Sequence, residues 1–367
     1  MSKKNSNILF IVMSLVMIIF MSVAARLMRI PDIITQVSTI LGSFIGAFII
    51  FSLTYDLGKY IFAKGAGFKF ISYRFFTSIR AKNEEGKTKG YYHKSLFKNI
   101  ELFMYKDSNK TRKSAVIYCI GGSIFNGIIA LALIITGLIM KDGDNIRSVL
   151  FIIGITGFFN ISLNLVPMNT STSNDGSYLQ VIKSSDESLE LFYTNLEYLN
   201  HICKYKPTEF EFKRFEVKEK FNPSNPTHAY AFSNLVKYQI FVHNFQEAQR
   251  LINSQEDSLS LFIEDIMYDL KLKAIFLKTM LNNDQEALID RDNLSGDSKD
   301  VAKAKNIDRL IENYAFYKFS SMDEYASEEA YDLAINLIEK SPYAGLVKEQ
   351  KELLDFLKMY RFTKQTN

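Results

Sequence analysis

Two charged side chains interrupt an otherwise apolar stretch in the first part of the chain. Asp56 and Lys59 follow a long run of aliphatic and aromatic residues. A charge inside a bilayer is costly, so such a residue is expected to have a partner and a function. Residues three positions apart lie on one face of a helix, so Asp56 and Lys59 can interact with each other or with a third group. The spacing therefore predicts a polar site within a membrane segment.

Four apolar stretches are candidates for the helices that hold this site. A bilayer core of about 30 Å needs about 20 helical residues, and residues 8–28, 33–63, 115–140 and 149–167 are each suitable. The first stretch could instead be a signal peptide, because Lys3 and Lys4 precede it and small residues follow its apolar core. That core is long for a signal peptide, so we predict four retained transmembrane helices.

The two halves of the chain carry opposite charge. Residues 1–175 hold 20 Lys and Arg against 9 Asp and Glu, a net charge of +11; residues 176–367 hold 24 against 31, a net charge of −7. The loop 64–113 contains 13 Lys and Arg. The positive-inside rule assigns this loop, and with four spans both termini, to the cytoplasm. Basic loops beside apolar helices indicate contact with anionic membrane lipid rather than with nucleic acid.

Three motifs follow one another in chain order. They are residues 54–64 (Thr-Tyr-Asp-Leu-Gly-Lys-Tyr-Ile-Phe-Ala-Lys) with the following Gly67, residues 121–126 (Gly-Gly-Ser-Ile-Phe-Asn), and residues 164–167 (Asn-Leu-Val-Pro) with Asp175 and Gly176. Together they resemble the site-2 protease family, the intramembrane zinc metalloproteases. The first resembles its signature helix, where His-Glu-x-Gly-His precedes an aromatic residue, Ala, a basic residue and a surface strand. The second resembles its Gly-Pro-x-x-Asn helix, and the third its Asn-x-x-Pro and Asp-Gly element. The resemblance covers about residues 33–180.

The zinc chemistry of that family is not expected here. Tyr55 and Lys59 stand in the places of the two histidine ligands, Asp56 in that of the glutamate, and Asp175 in that of the third ligand. A catalytic zinc needs three protein ligands and an open position, and a lysine ammonium has no lone pair to offer. The four histidines lie outside the spans: His93, His201, His228 and His243. We therefore expect no catalytic residue, metal or other cofactor.

The altered motif suggests a substitute for the metal. In this hypothesis Lys59 replaces the positive charge of the zinc and pairs with Asp175, with Asp56 or with both. Alternatively, Asp56 and Lys59 lie near the helix end and reach water. Because the family holds its substrate as an extended strand, the resemblance implies a peptide-binding groove, for which Asn126, Asn164 and Pro167 are candidates. Residues 66–80 mix aromatic and β-branched side chains ahead of a polar turn, which predicts a strand at the membrane surface.

The second half of the chain reads as amphipathic helices. Residues 181–224 are predicted to be a helical connector that ends at the Asn-Pro-Ser-Asn-Pro break of residues 222–226. The pattern of residues 244–248 (Asn-Phe-Gln-Glu-Ala) recurs 39 positions later in residues 283–287 (Asn-Asp-Gln-Glu-Ala). Helix pairs with such a period stack into binding surfaces. Residues 225–367 are therefore interpreted as a cytoplasmic helical-repeat domain, similar to tetratricopeptide repeats, although an unrelated helical bundle is the alternative.

These observations predict an all-α membrane protein, with four transmembrane helices over residues 1–180 and a cytoplasmic helical domain. The expected function is that of an inactive protease homologue that binds a peptide or a transmembrane segment and a cytoplasmic protein, in bacterial peptide maturation, export or signalling. One alternative is an active, divergent metalloprotease that cleaves membrane-embedded peptides with zinc. Another is a structural subunit of a membrane complex.

Overall fold

The computed structural model describes residues 11–12, 14–20, 22, 32–75, 78–83, 85–92, 101–140, 145–168 and 173–360. Contacts within the chain divide it into two compact units. The first unit comprises Met1–Lys69 and Lys106–Leu189, and the second comprises Phe70–Tyr105 and Glu190–Asn367.

The first unit contains three helices that are long and apolar enough to cross a membrane: α1 (Ile33–Gly65), α2 (Arg112–Ile139) and α3 (Asn145–Leu165). They correspond to three of the four predicted spans. Of the predicted span 8–28, residues 11–12, 14–20 and 22 are helical, and the remainder lies outside the described residues. A shorter helix, α4 (Asp175–Ser184), follows α3. The chain is thus mostly helical and carries the helices of a membrane protein.

Side-chain caps set where the first two helices begin. The Asp32 carboxylate accepts a hydrogen bond from the backbone N–H of Thr35 at 2.7 Å, at the start of α1. The Thr111 hydroxyl accepts one from the N–H of Ser114 at 3.2 Å, at the start of α2. Such caps satisfy backbone donors that the helix leaves unpaired. Polar residues at these positions therefore define the ends of two otherwise apolar segments.

A four-stranded sheet lies between α1 and α2 in the sequence. Its strands are β1 (Lys69–Phe75), β2 (Ser78–Lys82), β3 (Thr88–Tyr92) and β4 (Glu101–Tyr105), in the spatial order β3-β2-β1-β4. β1 pairs antiparallel with β2, placing Ser72 opposite Ala81, and β2 pairs antiparallel with β3, placing Ile79 opposite Tyr91. A strand within residues 66–80 was predicted, and the sheet extends it by further strands within a mostly helical chain.

The second unit continues with helices. They are, in chain order, α5 (Asp186–His201), which begins at the unit boundary, α6 (Pro226–Phe241), α7 (Phe245–Asn253), α8 (Glu264–Met280), α9 (Asp284–Asp292), α10 (Asp297–Ala302), α11 (Ile307–Ala315), α12 (Glu324–Ile338) and α13 (Ala344–Met359). Short 3₁₀ turns occupy Pro207–Glu209, Phe212–Phe215 and Glu256–Leu261. One apolar core is formed by residues of α6, α7, α8, α11, α12 and α13.

The turn between α6 and α7 recurs between α8 and α9 with the 39-residue spacing seen in the sequence. His243 and Asn282 both have a positive φ, of 58° and 65°. The next residue in each turn donates its backbone N–H to the carbonyl five residues earlier, Asn244 to Gln239 at 2.8 Å and Asn283 to Lys278 at 2.9 Å. The recurring sequence pattern therefore has a structural basis in two matching helix pairs.

A third turn of this kind connects α11 to α12. Met322 has a φ of 52°, and the side chain of Asp323 caps α12. The spacing from Asn283 to Asp323 is 40 residues, one more than in the first interval. The π-helical segment Phe316–Ser320 accommodates the additional residue, so that the N–H of Asp323 reaches the carbonyl of Tyr317, six residues earlier. The second unit thus contains three successive helix pairs.

Buried ion pairs join the first helices of these three pairs. The network consists of Lys237 on α6, Asp269 and Lys273 on α8, and Asp308, Arg309 and Glu312 on α11. Lys273 Nζ lies 2.8 Å from Asp269 Oδ1 and 2.9 Å from Glu312 Oε1. Arg309 contacts the same two carboxylates. Since paired charges can be buried where single ones cannot, the network orders these helices within the core.

Candidate functional site

Asp175 begins α4, directly after the loop that leaves α3. The preceding Asn174 caps the helix, its side-chain oxygen accepting from the N–H of Ser177 at 3.0 Å. The Asn174 amide also donates to the carbonyls of Leu163, at 2.7 Å, and of Val166 at the end of α3. One asparagine therefore links the end of α3 to the start of α4 and sets the position of the neighbouring Asp175.

The Asp175 carboxylate receives hydrogen bonds from two side chains of α1. Lys59 Nζ lies 2.8 Å from Asp175 Oδ1 and 2.9 Å from Oδ2, and the Tyr55 hydroxyl donates to Oδ2 at 2.6 Å. Tyr55 and Lys59 are four residues apart and so lie on one face of α1. The two positions that resemble zinc-ligand histidines thus converge on the position that resembles the third ligand.

The Lys59–Asp175 pair is enclosed by protein. The Lys59 side chain is 12% exposed and that of Asp175 is 11% exposed. The Lys59 ammonium also lies 4.5 Å from the centre of the Tyr118 ring on α2, a cation–π contact. The pair therefore connects α1, α2 and α4, in agreement with the predicted pairing and against the alternative that Lys59 reaches water.

Glycines let α1 and α2 approach closely beside this pair. A Cβ atom at Gly122 would lie 2.6 Å from the carbonyl oxygen of Tyr55, and one at Gly58 would lie 2.3 Å from Cβ of Phe125. Small residues at such crossings allow helices in membranes to pack backbone to backbone. Gly122, the second glycine of the Gly-Gly motif, is thus required for the position of Tyr55.

Gly176 is required for the position of α4. A Cβ atom at this residue would lie 2.1 Å from the carbonyl oxygen of Leu165, which belongs to the backbone and cannot rotate away. The Asp-Gly dipeptide therefore has two roles, since Asp175 supplies the carboxylate and Gly176 lets it approach the end of α3.

Asn126, a predicted groove residue, crosslinks the three long helices. Its amide nitrogen donates to the carbonyl of Phe51 at 2.8 Å and to Asn160 Oδ1 at 3.1 Å, and its oxygen accepts from the Thr54 hydroxyl at 2.7 Å. The residue is fully buried. Both amide hydrogens are used within the chain, so Asn126 contributes to the packing of the three helices.

The remaining predicted residues lie near the cluster but contribute differently. Asn164 donates back to the carbonyl of Asn160 within α3 at 2.9 Å and is half-buried. Pro167 is half-buried in the loop between α3 and α4. Asp56 is buried in α1, but adjacent helical residues point about 100° apart, so its side chain leaves α1 in a different direction from that of Tyr55.

The donor set at this site does not fit a zinc ion. A zinc ligand must offer a lone pair, whereas Lys59 presents an ammonium that donates hydrogen bonds to both oxygens of the Asp175 carboxylate. Within the described ranges, no group of three or more His, Cys, Asp or Glu side chains could hold a metal. His93 lies outside the described residues, and His201, His228 and His243 belong to the second unit.

Two residues of the cluster around Asp175 were not predicted from the sequence. Asn174 could have been found from the preference for asparagine at helix N-caps, because it immediately precedes Asp175 and Gly176. No sequence signal identifies Tyr118, since its contact with Lys59 depends on the relative rotation of α1 and α2. The cluster therefore comprises Tyr55, Lys59, Tyr118, Asn174 and Asp175.

Fold and site define a mostly helical protein with apolar helices able to span a membrane and a buried cation–carboxylate cluster among them. Comparison with known protein families, with curated proteins and with solved structures yields no match for the chain.

Proposed function

We propose that this protein is a non-catalytic relative of the site-2 proteases that binds a peptide or a transmembrane segment in the membrane. The contact of Lys59 with both oxygens of Asp175 carries the proposal. A fixed cation there takes the place that the family gives to its metal, which keeps the helices together without supplying a hydrolytic centre. The charge pattern of the site is retained while its chemistry is lost.

The helix arrangement supports descent from that family. The three motifs that resemble it lie on α1, on α2 and at the α3–α4 connection, and these elements meet around Asp175. The close approach of Gly122 to Tyr55 and of Gly176 to Leu165 gives these two motif glycines a packing role. Independent motifs that converge on one cluster favour common ancestry over chance.

The second unit is proposed to recruit a cytoplasmic protein, as a helical-repeat domain similar to tetratricopeptide repeats. Three helix pairs with a recurring turn form extended surfaces suited to binding. In this proposal the loop 64–113 and both termini are cytoplasmic and the membrane is the cell membrane of a bacterium. Peptide maturation, export or signalling would be the setting, on analogy with the family alone.

Photo-crosslinking tests the membrane part of the proposal. A photoreactive amino acid is introduced at Asn164, near the cluster, and in a matched control at Ile139, which is 80% exposed at the end of α2. After irradiation of intact cells, mass spectrometry identifies the adducts. We expect a defined peptide or transmembrane segment at position 164 and only lipid at position 139. Equal labelling at the two positions would contradict a peptide-binding role.

A further inference from the structure

A cleft of about 530 Å³ opens in the second unit between α7, α8 and α9. Its volume lies within the range of about 300–1,000 Å³ that is typical of ligand-binding clefts. The other lining residues are polar or charged, and apolar surface comes from Ile252, Leu259, Ala274, Ile275 and Leu294. A mixed surface of this kind suits a ligand with both apolar and hydrogen-bonding groups.

The two faces of α8 differ. Asp269 and Lys273 lie on the face that the buried ion-pair network and the apolar core cover. Lys271, Ala274 and Lys278 lie on the other face and line the cleft. The cleft is therefore the side of α8 that the folded unit leaves accessible.

Two asparagine side chains lie at the two ends of α9, along the cleft. Asn283 precedes the helix and Asn293 follows it, and both line the cleft. At the equivalent turns, the side chains of Asn244 and Asp323 cap the helices that they precede, whereas the Asn283 side chain makes no cap bond. Neither Asn283 nor Asn293 hydrogen-bonds through its side chain to any residue in the part of the chain that is described.

The spacing of these amides matches an extended peptide. Ten helical positions correspond to about 15 Å, and an extended chain advances about 3.3 Å per residue, so about five residues reach from one amide to the other. An asparagine amide both donates and accepts, as a peptide backbone does.

Carboxylates give the cleft a negative charge. Lys278 Nζ lies 3.2 Å from Glu286 Oε2 and 2.8 Å from Asp290 Oδ2, so two carboxylates share one ammonium. Their side chains are 63% and 40% exposed. Over the whole lining there are three carboxylates (Glu256, Glu286 and Asp290) and two ammonium groups (Lys271 and Lys278), a net charge of −1. Unneutralised charge between the two amides favours a basic group on the ligand.

We propose that this cleft binds an extended peptide segment of a partner protein, lying along α9. Asn283 and Asn293 hydrogen-bond to its backbone, and Glu286 and Asp290 receive a lysine or arginine side chain. This inference rests on the proposed partner-binding role of the second unit and gives that partner its chemistry.

Fluorescence anisotropy with the full chain in phosphatidylcholine nanodiscs tests the proposal, because neutral lipid does not attract a basic probe. The probes are a fluorescein-labelled octapeptide of alternating lysine and alanine and its glutamate–alanine counterpart. We expect only the lysine peptide to bind. Glu286→Gln with Asp290→Asn should weaken binding at least about tenfold, and Asn283→Ala with Asn293→Ala, which leaves the charge unchanged, should weaken it by about tenfold.

The matched control is Glu328→Gln with Glu329→Gln, which removes the same charge from exposed positions on α12. Three results would each overturn the proposal. The control could weaken binding equally, spermidine at equal charge concentration could displace the peptide, or the lysine peptide could fail to bind the unaltered protein. The photo-crosslink at Asn164 and the anisotropy of the cleft are measured independently, so failure of the cleft and failure of the membrane site are distinguished.

Discussion

Lys59 on α1 and Asp175 at the start of α4, 116 residues apart in sequence, form an ion pair in which Lys59 Nζ lies 2.8 Å from Oδ1 and 2.9 Å from Oδ2 of Asp175. Both side chains are almost enclosed. Breaking a buried pair by removing one partner leaves the other charge unpaired, whereas removing both partners costs less. The pair is therefore an energetic link between the two motifs that it joins.

Lys59→Ala is predicted to lower the free energy of unfolding by about 3–5 kcal/mol, and Asp175→Ala to do the same. The double variant should be more stable than the sum of the single losses predicts. Thermal unfolding in detergent, followed by circular dichroism, measures all three variants. Strictly additive losses would show that the two residues do not interact.

Tyr55→Phe is predicted to cost about 1.5–3 kcal/mol, because it removes a hydrogen bond to a charged group. The control is Tyr60→Phe, which removes a hydroxyl from a half-buried position one turn further along α1. The same unfolding measurement compares the two. A loss at Tyr60 as large as that at Tyr55 would argue against a specific role for the Tyr55–Asp175 bond.

Gly122→Ala and Gly176→Ala are predicted to destabilise the first unit by about 1–3 kcal/mol each, the usual cost of overpacking. Each new methyl group would meet a backbone oxygen, at 2.6 Å for Gly122 and 2.1 Å for Gly176. Gly42→Ala on α1 is the control, because nothing lies within 4 Å of a Cβ atom there. Unfolding midpoints that are lowered equally in all three variants would contradict the close-packing explanation.

The second unit is predicted to lose stability in acid through Asp269. Burial raises the pKa of this carboxyl, but attraction by Lys273, Lys237 and Arg309 outweighs burial and holds the pKa well below its usual value. A carboxylate with a depressed pKa contributes stability that is fully present above its unfolded pKa of about 3.9 and is lost as the pH falls through the folded value.

Hydrogen exchange of α8 in the full chain measures this effect. Protection of α8 should fall as the pH decreases below about 4, after correction for intrinsic exchange rates. In Asp269→Asn the protection should be lower at neutral pH and depend less on acid. An identical acid dependence in Asp269→Asn and in the unaltered protein would assign the effect to other carboxylates.

Much of the membrane unit could be predicted from sequence. Apolar length predicted the three long helices. The need of an intramembrane charge for a partner predicted that Lys59 pairs with Asp175, with Asp56 or with both, and the structure shows the contact with Asp175. The contacts of Tyr118 and the Asn126–Asn160 bond could not be predicted, because they depend on the rotation of one helix against another. Only the first strand of the four-stranded sheet was predicted, because residues 88–92 (Thr-Lys-Gly-Tyr-Tyr) lack a clear alternation of apolar and polar residues.

In the second unit, the 39-residue recurrence was visible, but the position of the third turn was not. The third turn is shifted by one residue, and the π-helical segment Phe316–Ser320 that absorbs the shift has no sequence signature. The sequence also could not distinguish Asn244 from Asn283, because the two residues occupy equivalent positions in similar motifs. Asn244 caps its helix, whereas the side chain of Asn283 has no hydrogen-bond partner among the residues that the structure describes.

The zinc content of the purified full-length protein tests most directly whether Lys59 has taken the place of the metal. Inductively coupled plasma mass spectrometry is applied to the unaltered protein, to Asp175→Ala, and to a Tyr55→His, Lys59→His variant that places histidine at both positions. We predict far less than one zinc per chain in the first two and a gain of zinc in the third. One zinc per chain in the unaltered protein, lost in Asp175→Ala, would contradict the account.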